Sequence, residues 1–378
     1  MKFYLNKTVY DAALERIRWI FDEFPNVIAG VSGGKDSTVI FNLCLQVAKE
    51  KDRLPLKVLF IDQEAEWQST VDIIHEWMYT PGVDPKWYQM PIRLFNATSI
   101  YENWLHCWDP AESEKWIHPQ DPVSIKENVY GTDRFHPIFG AILEKEYPTT
   151  KTAYIAGVRA EENPTRYVGL TGALTYKDAT WGSVLNKKRQ HYTLYPLYDW
   201  SYTDVWKAIH DNEWHYNTIY DKQYAYGMNV KDMRVSNIHH ETSVKSLFYL
   251  QEAEPVTYNK VVQRLAGIDM AGKMNEDDFF VHKLPFMFVD WKEYRDYLLE
   301  KLIINDDWKE GLKKIFVRQE RDYLPELGER TLYSSHINSI LTNDWEGIKL
   351  GNADRRSNWM TIRKKHDNQR KKEVTNES

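Results

Sequence analysis

The sequence predicts an α/β protein built on an open, mostly parallel sheet with flanking helices, followed by a mainly helical C-terminal region. Three observations predict it. Short apolar runs at residues 26–31 (NVIAGV), 56–61 (LKVLFI) and 152–156 alternate with segments of helical periodicity, and such alternation favours parallel strands joined by right-handed crossovers. The first run breaks into Ser32-Gly33-Gly34 and resumes as a helix, the pattern of a buried strand ending in a glycine turn. Beyond about Tyr220 the patterns are helical, and no further clear strand is legible.

Taken in order, Ala12, Leu14, Ile17, Ile20 and Phe21 recur at helical spacing over residues 11–24 until Pro25 closes the segment. After the first strand and its turn, residues 36–51 read as a helix. The second strand, 56–61, ends at Asp62, and residues 67–79 are helical until Pro81-Gly82 stops them. Residues 87–94 make a weaker third strand. From 95 to 135 the rhythm fails, with Trp104, Trp108 and Trp116 among Pro110, Pro119 and Pro122, which reads as an insertion over the strand ends. The pattern resumes with a helix over 138–146, the strand 152–156 running into Gly157-Val158-Arg159, and an extended stretch at 191–197. A helix follows, with Ser201 or Thr203 as its cap and Asp204 in its first turn. The expected organisation is an α/β domain over 1–220, a helical region over 221–352 and a basic tail over 353–378.

Composition narrows the function classes. A chain of 378 residues exceeds the usual single core, and 15 Trp with 24 Tyr supply ample material for burial. The formal charge of −6 argues against coating nucleic acid through bulk charge. The two cysteines, Cys44 and Cys107, are far apart with no CxxC pair, so no zinc or iron–sulfur centre is expected and a reducing cytoplasm fits. The first ten residues lack a signal-peptide layout, and no apolar run approaches the roughly 18 residues of a membrane span.

The chemistry is concentrated in Ser32-Gly33-Gly34-Lys35-Asp36-Ser37. At a strand-to-helix junction the glycines let several backbone N–H groups point at one spot, and the helix N-terminus adds partial positive charge. Lys35 can place an ammonium on a phosphate, Ser32 and Ser37 can donate hydroxyl hydrogen bonds, and Asp36 can cap the helix or help hold Mg²⁺. The string has neither the Walker spacing GxxxxGK[ST] nor the dinucleotide GxGxxG. Arg159 and Arg166, in the loop after the 152–156 strand, have guanidinium forks suited to phosphate or sulfate; the plainer alternative pairs Arg159 with Glu161 or Glu162 across the loop. Asp62, Glu64 and Glu66 form an acidic cluster that can orient a ribose or ligate Mg²⁺, with a solvated loop as the equal alternative for Glu64 and Glu66. Trp200, Trp206 and Trp214 suit either base stacking or, more simply, core packing.

These residues resemble the pyrophosphatase-loop (PP-loop) superfamily, whose signature is SGGxDS, within the adenine nucleotide alpha-hydrolase-like (HUP) folds. The closer resemblance is to phosphoadenosine phosphosulfate reductases and the small subunit of sulfate adenylyltransferase. It covers roughly residues 26–220 and is carried also by Phe60-Ile61-Asp62, by Gly157-Val158-Arg159-Ala160-Glu161-Glu162 through Arg166, and by Tyr195-Pro196-Leu197 with Trp200, Asp204, Val205 and Trp206. The resemblance implies ATP or a related adenine nucleotide held by Ser32, Gly33, Gly34, Lys35, Asp36, Ser37, Asp62, Gly157, Arg159 and Arg166. Lys35, Asp36 and Arg159 are the expected catalytic groups, and Asp36 and Asp62 the expected Mg²⁺ ligands.

The resemblance breaks at the reductive thiol. That family's cysteine lies in a C-terminal Glu-Cys-Gly-type motif, which is missing here, and neither Cys44 nor Cys107 matches it. What survives is nucleotide binding with hydrolysis or adenylyl transfer at the α-phosphate. The layout is also similar to the immunoglobulin-binding regulator A group, which implies a ParB/sulfiredoxin-like partner and a role in gene regulation. On that alternative the basic run Arg355, Arg356, Arg363, Lys364, Lys365, Arg370, Lys371 and Lys372 can touch DNA phosphates. RNA modification is a third and weaker expectation.

Overall fold

Helix α1 (Val9–Glu23) starts where the Thr8 hydroxyl accepts from the Asp11 amide, and it buries Ala13, Leu14, Ile17, Ile20 and Phe21, the stripe its periodicity announces. The computed structural model describes residues 6–96, 102, 104–230, 233, 235, 238, 244–265, 267–268, 283–344, 347 and 350–351. The basic run from Arg355 lies outside the described residues.

Strand β1 (Asn26–Gly30) is buried at every position and pairs in parallel with β2 (Leu56–Ile61) on one side and β6 (Thr152–Ile155) on the other. Between them come α2 (Lys35–Glu50), α3 (Gln68–Met78), β3 (Val83–Tyr88), the short strands β4 (Ile92–Phe95) and β5 (Trp104–Cys107), and α4 (Phe135–Glu146). After β6 come α5 (Pro164–Thr171), β7 (Gly182–Asn186), β8 (His191–Leu194), α6 (Tyr202–Asp211) and α7 (Ile219–Ala225). The six-stranded sheet runs β3-β2-β1-β6-β8-β7; only β7 is antiparallel to its neighbour. The chain leaves β1 toward β2 and later returns on the opposite side through β6. That reversal opens a crevice beyond the carboxyl end of β1, where open α/β sheets bind ligands.

Three elements differ from the sequence expectation. The third strand starts at Val83 and ends at Tyr88, so it contains Pro85. Pro85 reads as a breaker, but β3 is an edge strand, where a missing N–H costs no ladder bond. The loop after β6 contains α5, started by Asn163, whose side chain accepts from the Arg166 amide, with Pro164 at its first position. Strand β7 was hidden because its central residues, Ser183 to Leu185, are exposed.

The described chain divides into two units, one of residues 1–94, 106–238 and 249–264, the other of 95–105, 239–248 and 265–378. The units interleave in sequence. Helices α8 (Val244–Ala253) and α9 (Pro255–Arg264) meet at Glu254. This buried carboxylate accepts from the amides of Gln68 at 2.7 Å and Ser69 at 3.0 Å. It caps the otherwise uncapped start of α3 and ties residues 249–264 to the α/β unit.

The second unit holds α10 (Trp291–Leu302), α11 (Asp306–Leu327) and α12 (Glu329–Leu341), packed through Leu298, Leu299, Ile303, Leu312, Phe316, Ile337 and Ile340. Its core contains a buried polar chain. His336 stacks on Phe316 at 4.1 Å, with Nδ1 3.1 Å from Arg295 Nη1 and Nε2 2.9 Å from Gln319 Oε1. This pattern fits a neutral ring protonated at Nε2, and burial followed by the nearby Arg295 charge pushes the His336 pKa down to about 3. The unfolded chain takes up this proton near pH 6.5, so stability from the neutral ring is complete above that pH and falls as pH drops toward 3. The thermal midpoint should therefore fall between pH 7 and about 4.5, and the gap between wild type and His336→Gln, followed by circular dichroism, should narrow over that range. A constant gap would show that His336 does not carry the effect.

Candidate phosphate-binding site

At the carboxyl end of β1 the Val31 amide still donates to Leu59 O at 3.0 Å. One residue later the chain leaves the sheet: the Ser32 amide donates to Ser37 Oγ at 2.9 Å, and the Ser32 and Ser37 hydroxyls lie 2.9 Å apart. Gly33 has φ +70°, and a Cβ there would stand 2.7 Å from Thr70 Cγ2, so the turn needs glycine for both conformation and space. Gly34 is the N-cap of α2 and has no side chain to close the helix. The first amides of a helix lack intrahelical partners and carry the positive end of its dipole, so this terminus is built to receive an anion.

Two cations join it. Lys35 Nζ lies 3.3 Å from Asp36 Oδ2, and Arg159 Nε lies 2.5 Å from Asp36 Oδ1. Arg159 is buried at 5% exposure. Its main contact is therefore Asp36; Glu161 stands 4.0 Å from Nη1, and Glu162 accepts from the Arg159 backbone amide at 3.1 Å. The ammonium and guanidinium beside the helix amides are donors suited to an oxyanion, with Asp36, and Glu161 at 4.0 Å, as their counter-charges. Gly157 makes the assembly possible, because a Cβ there would stand 2.9 Å from the Asp36 carbonyl carbon and 3.0 Å from its oxygen. The loop after β6 lies directly on the first turn of α2.

Ser32, Gly33, Gly34, Lys35, Asp36, Ser37, Gly157 and Arg159 thus come together. Arg166 does not join them: it sits on α5 and pairs with Glu162 one turn back. Asp62 also departs from its expected role. It is fully buried; Oδ2 accepts from Trp87 Nε1 at 2.9 Å and Gln89 Nε2 at 3.0 Å, and Oδ1 from the Glu64 amide at 2.9 Å. His118 Nε2 lies 3.4 Å from Asp62 Oδ1. Burial opposes charge on that ring, yet Asp62 and its other partners hold the His118 pKa above its ordinary value.

Glu64 and Glu66 are neither a solvated loop nor open ligands. Glu64 is buried against Arg264 at 2.6 Å and accepts from the Trp108 amide at 2.9 Å. Burial, with Asp62 nearby, raises Glu66 well above the usual carboxylate range. Of the two expected Mg²⁺ ligands, Asp36 is engaged by two cations and Asp62 is sealed; no group of three or more His, Cys, Asp or Glu able to hold a metal occurs among the described residues. The tryptophans follow the packing alternative. Trp200 is buried and donates to Val9 O at 3.0 Å, while Trp206 and Trp214 pack against the core. Both thiols are buried, and burial pushes both pKa values up.

The structure adds residues to the site that sequence reasoning missed. Tyr220 accepts from the Lys35 amide at 3.1 Å, with Lys35 Nζ 5.6 Å from its ring centre. Asn217 donates to Gly33 O at 3.1 Å and Thr70 Oγ1 at 2.9 Å. No local pattern marks either residue, because Asn-Thr before a helical run reads equally as an ordinary cap.

The fold is that of an α/β protein with a glycine-rich strand-to-helix loop at the switch point of its sheet. The chain belongs to the phosphoadenosine phosphosulfate reductase domain family, whose model matches residues 26–226. It is similar to YbdN of Escherichia coli (strain K12), with 25% identity over 317 residues, covering 80% of this chain and 77% of that protein. It is also similar to the adenosine 5'-phosphosulfate reductase of Staphylococcus saprophyticus, with 25% identity over 55% of this chain and 72% of that protein. Among solved structures, Candida glabrata FMN adenylyltransferase in complex with FMN and an ATP analogue aligns at TM-score 0.37 and 16% identity, over 62% of this chain and 70% of that one. Candida auris phosphoadenylyl-sulfate reductase in a phosphate complex aligns at TM-score 0.30 and 15% identity, over 58% and 94%. No helix among the described residues is long and apolar enough to cross a membrane.

The approach of Gly157 to Asp36 yields a sharp expectation. Gly157→Ala forces a methyl against backbone rather than a movable side chain, which should destabilise the α/β unit by about 1–3 kcal/mol. Urea unfolding of the two proteins measures this; equal midpoints would mean that the loop has room to yield.

Proposed function

We propose that this chain binds an adenine nucleotide with its phosphates in the 32–37 cradle and cleaves it or transfers its adenylyl group at the α-phosphorus. The observation that carries this reading is the convergence of Lys35 and Arg159 on Asp36 beside the glycine N-cap of α2, which has no side chain to close the helix. Family membership supports it, since the Staphylococcus relative is named for reducing an adenine nucleotide. In the reaction, a water or acceptor oxygen forms a bond to the α-phosphorus while the bond from that phosphorus to the bridging oxygen breaks, and pyrophosphate leaves with the electron pair. Lys35 and Arg159 stabilise the charge that grows on the transferring group and leaving oxygens. Asp36 aims the guanidinium.

Thiol-dependent reduction of a sulfonucleotide is not part of the proposal. A nucleophilic cysteine has to be reachable and ionised, and Cys44 and Cys107 are buried with raised pKa values.

Calorimetry with ATP, adenosine 5'-phosphosulfate and inorganic pyrophosphate tests the binding, and release of AMP with pyrophosphate tests the chemistry. Lys35→Ala should weaken pyrophosphate binding at least tenfold, about 1.4 kcal/mol. Because the carboxylates are otherwise engaged, pyrophosphate affinity should change less than threefold when EDTA replaces Mg²⁺. Folded wild-type protein with no affinity for any of the three ligands would end the proposal.

A further inference from the structure

The cradle's main weakness is its own glycines. A peptide between two glycines can flip at low cost, because neither flanking residue has a Cβ to restrict it. In a planar trans peptide the carbonyl and the N–H point in opposite directions, so flipping the Gly33–Gly34 unit would replace a donor with a carbonyl oxygen facing the anion. Something must hold that peptide one way up before any ligand arrives.

We infer that Asn217 is the positioning residue that does this. Resting on the reading of the 32–37 loop as an oxyanion cradle, the inference is that the Asn217 side-chain amide holds Gly33 O outward and thereby keeps the Gly34 N–H turned into the cradle. Asn217 is fully buried. Its Oδ1 accepts from the Ile219 amide at 3.0 Å, and because a backbone N–H is always a donor, this contact settles which end of the side-chain amide is oxygen. The nitrogen must therefore face Gly33 O at 3.1 Å, with its second proton on Thr70 Oγ1 at 2.9 Å. Every polar atom of Asn217 is used, so the side chain cannot rotate without losing three hydrogen bonds.

The same turn reaches the next amide. Tyr220, three residues on, accepts the Lys35 N–H at 3.1 Å. Its hydroxyl stays protonated because burial raises its pKa. With the oxygen engaged as acceptor, the hydroxyl proton is the donor that the Tyr220 side chain offers to an oxyanion. One turn, Asn217 to Tyr220, thus governs two consecutive donors of the loop, and it lies 184 residues from Gly33.

The test uses the full chain with inorganic pyrophosphate as probe. Asn217→Asp replaces the donor with a carboxylate that repels Gly33 O, and Asn217→Ala removes the hold. Both should weaken pyrophosphate binding at least tenfold, with the aspartate variant worse, and Tyr220→Phe should weaken it several-fold. Asn26→Ala is the control for lost stability alone, since Asn26 is also buried and donates to Thr152 Oγ1 at 3.0 Å, but at the amino end of β1; it should bind within twofold of wild type. Asn217 variants that melt earlier yet bind as wild type would overturn the inference, as would equal weakening by Asn26→Ala. Should the Asn217 variants fail to fold, wild type labelled with ¹⁵N-glycine decides: on adding pyrophosphate the Gly34 amide proton should move strongly downfield, and an unmoved Gly34 resonance under saturating ligand would overturn the inference. Absence of pyrophosphate binding by wild type, or undiminished binding by Lys35→Ala, would instead strike the cradle reading on which this one stands.

Discussion

The contact on which the rest of the site depends is the ion pair between Asp36 and Arg159. A cradle that gathers two cations beside the start of a helix is electrostatically unfavourable while empty, because like charges repel and the helix N-terminus carries partial charge of the same sign. Asp36 answers both problems from within the helix it opens. Its carboxylate gathers Lys35 and Arg159 at 3.3 and 2.5 Å, so the cations stay near the loop without a ligand. The bare hydrogen of Gly157 lets the backbone after β6 come close enough for the arginine to reach. A sheet whose order reverses at β1 is what places these two strand ends side by side.

Much of this frame was legible in the sequence because it is local. The strand, glycine turn and helix over 26–51 are contiguous, and each signal is a property of neighbouring residues. The same holds for the 157–159 loop and for Ser201, whose hydroxyl accepts from the Asp204 amide as its position suggests. The misreadings share an opposite feature. Asp62, Glu64 and Glu66 read as accessible carboxylates, ligands for ribose or Mg²⁺ or, for Glu64 and Glu66, a solvated loop, because carboxylates are usually exposed. What buries them comes from afar: Trp87, Gln89, Trp108 and, 200 residues on, Arg264. Pairing at that separation leaves no trace in a window of sequence.

That burial has a consequence for chemistry. Carboxylates at the end of β2 are spent on fixing structure: Asp62 ties the sheet end to Trp87 and Gln89, and Glu64 binds Arg264, which also holds Glu112 at 2.8 Å and the His106 carbonyl at 2.7 Å. A buried pair of this kind adds little net stability but is costly to break. It therefore serves to specify one arrangement of the segment beside the cradle. Glu254 acts similarly on the start of α3, supplying a carboxylate from within the chain where an external anion would otherwise fit.

The two helix starts at the carboxyl edge of the sheet are thus treated differently. At α3 the amides of Gln68 and Ser69 are closed by Glu254. At α2 the N-cap is a glycine with no side chain to offer, and the nearest carboxylate, Asp36, is turned away from the amides toward two cations. One terminus is capped by a carboxylate of the chain, and the neighbouring one is framed by glycines, hydroxyls, Tyr220 and two cations, the arrangement on which the proposed nucleotide site rests. Both thiols are buried away from solvent, so the proposed chemistry at that terminus is assigned to Lys35 and Arg159 and not to sulfur.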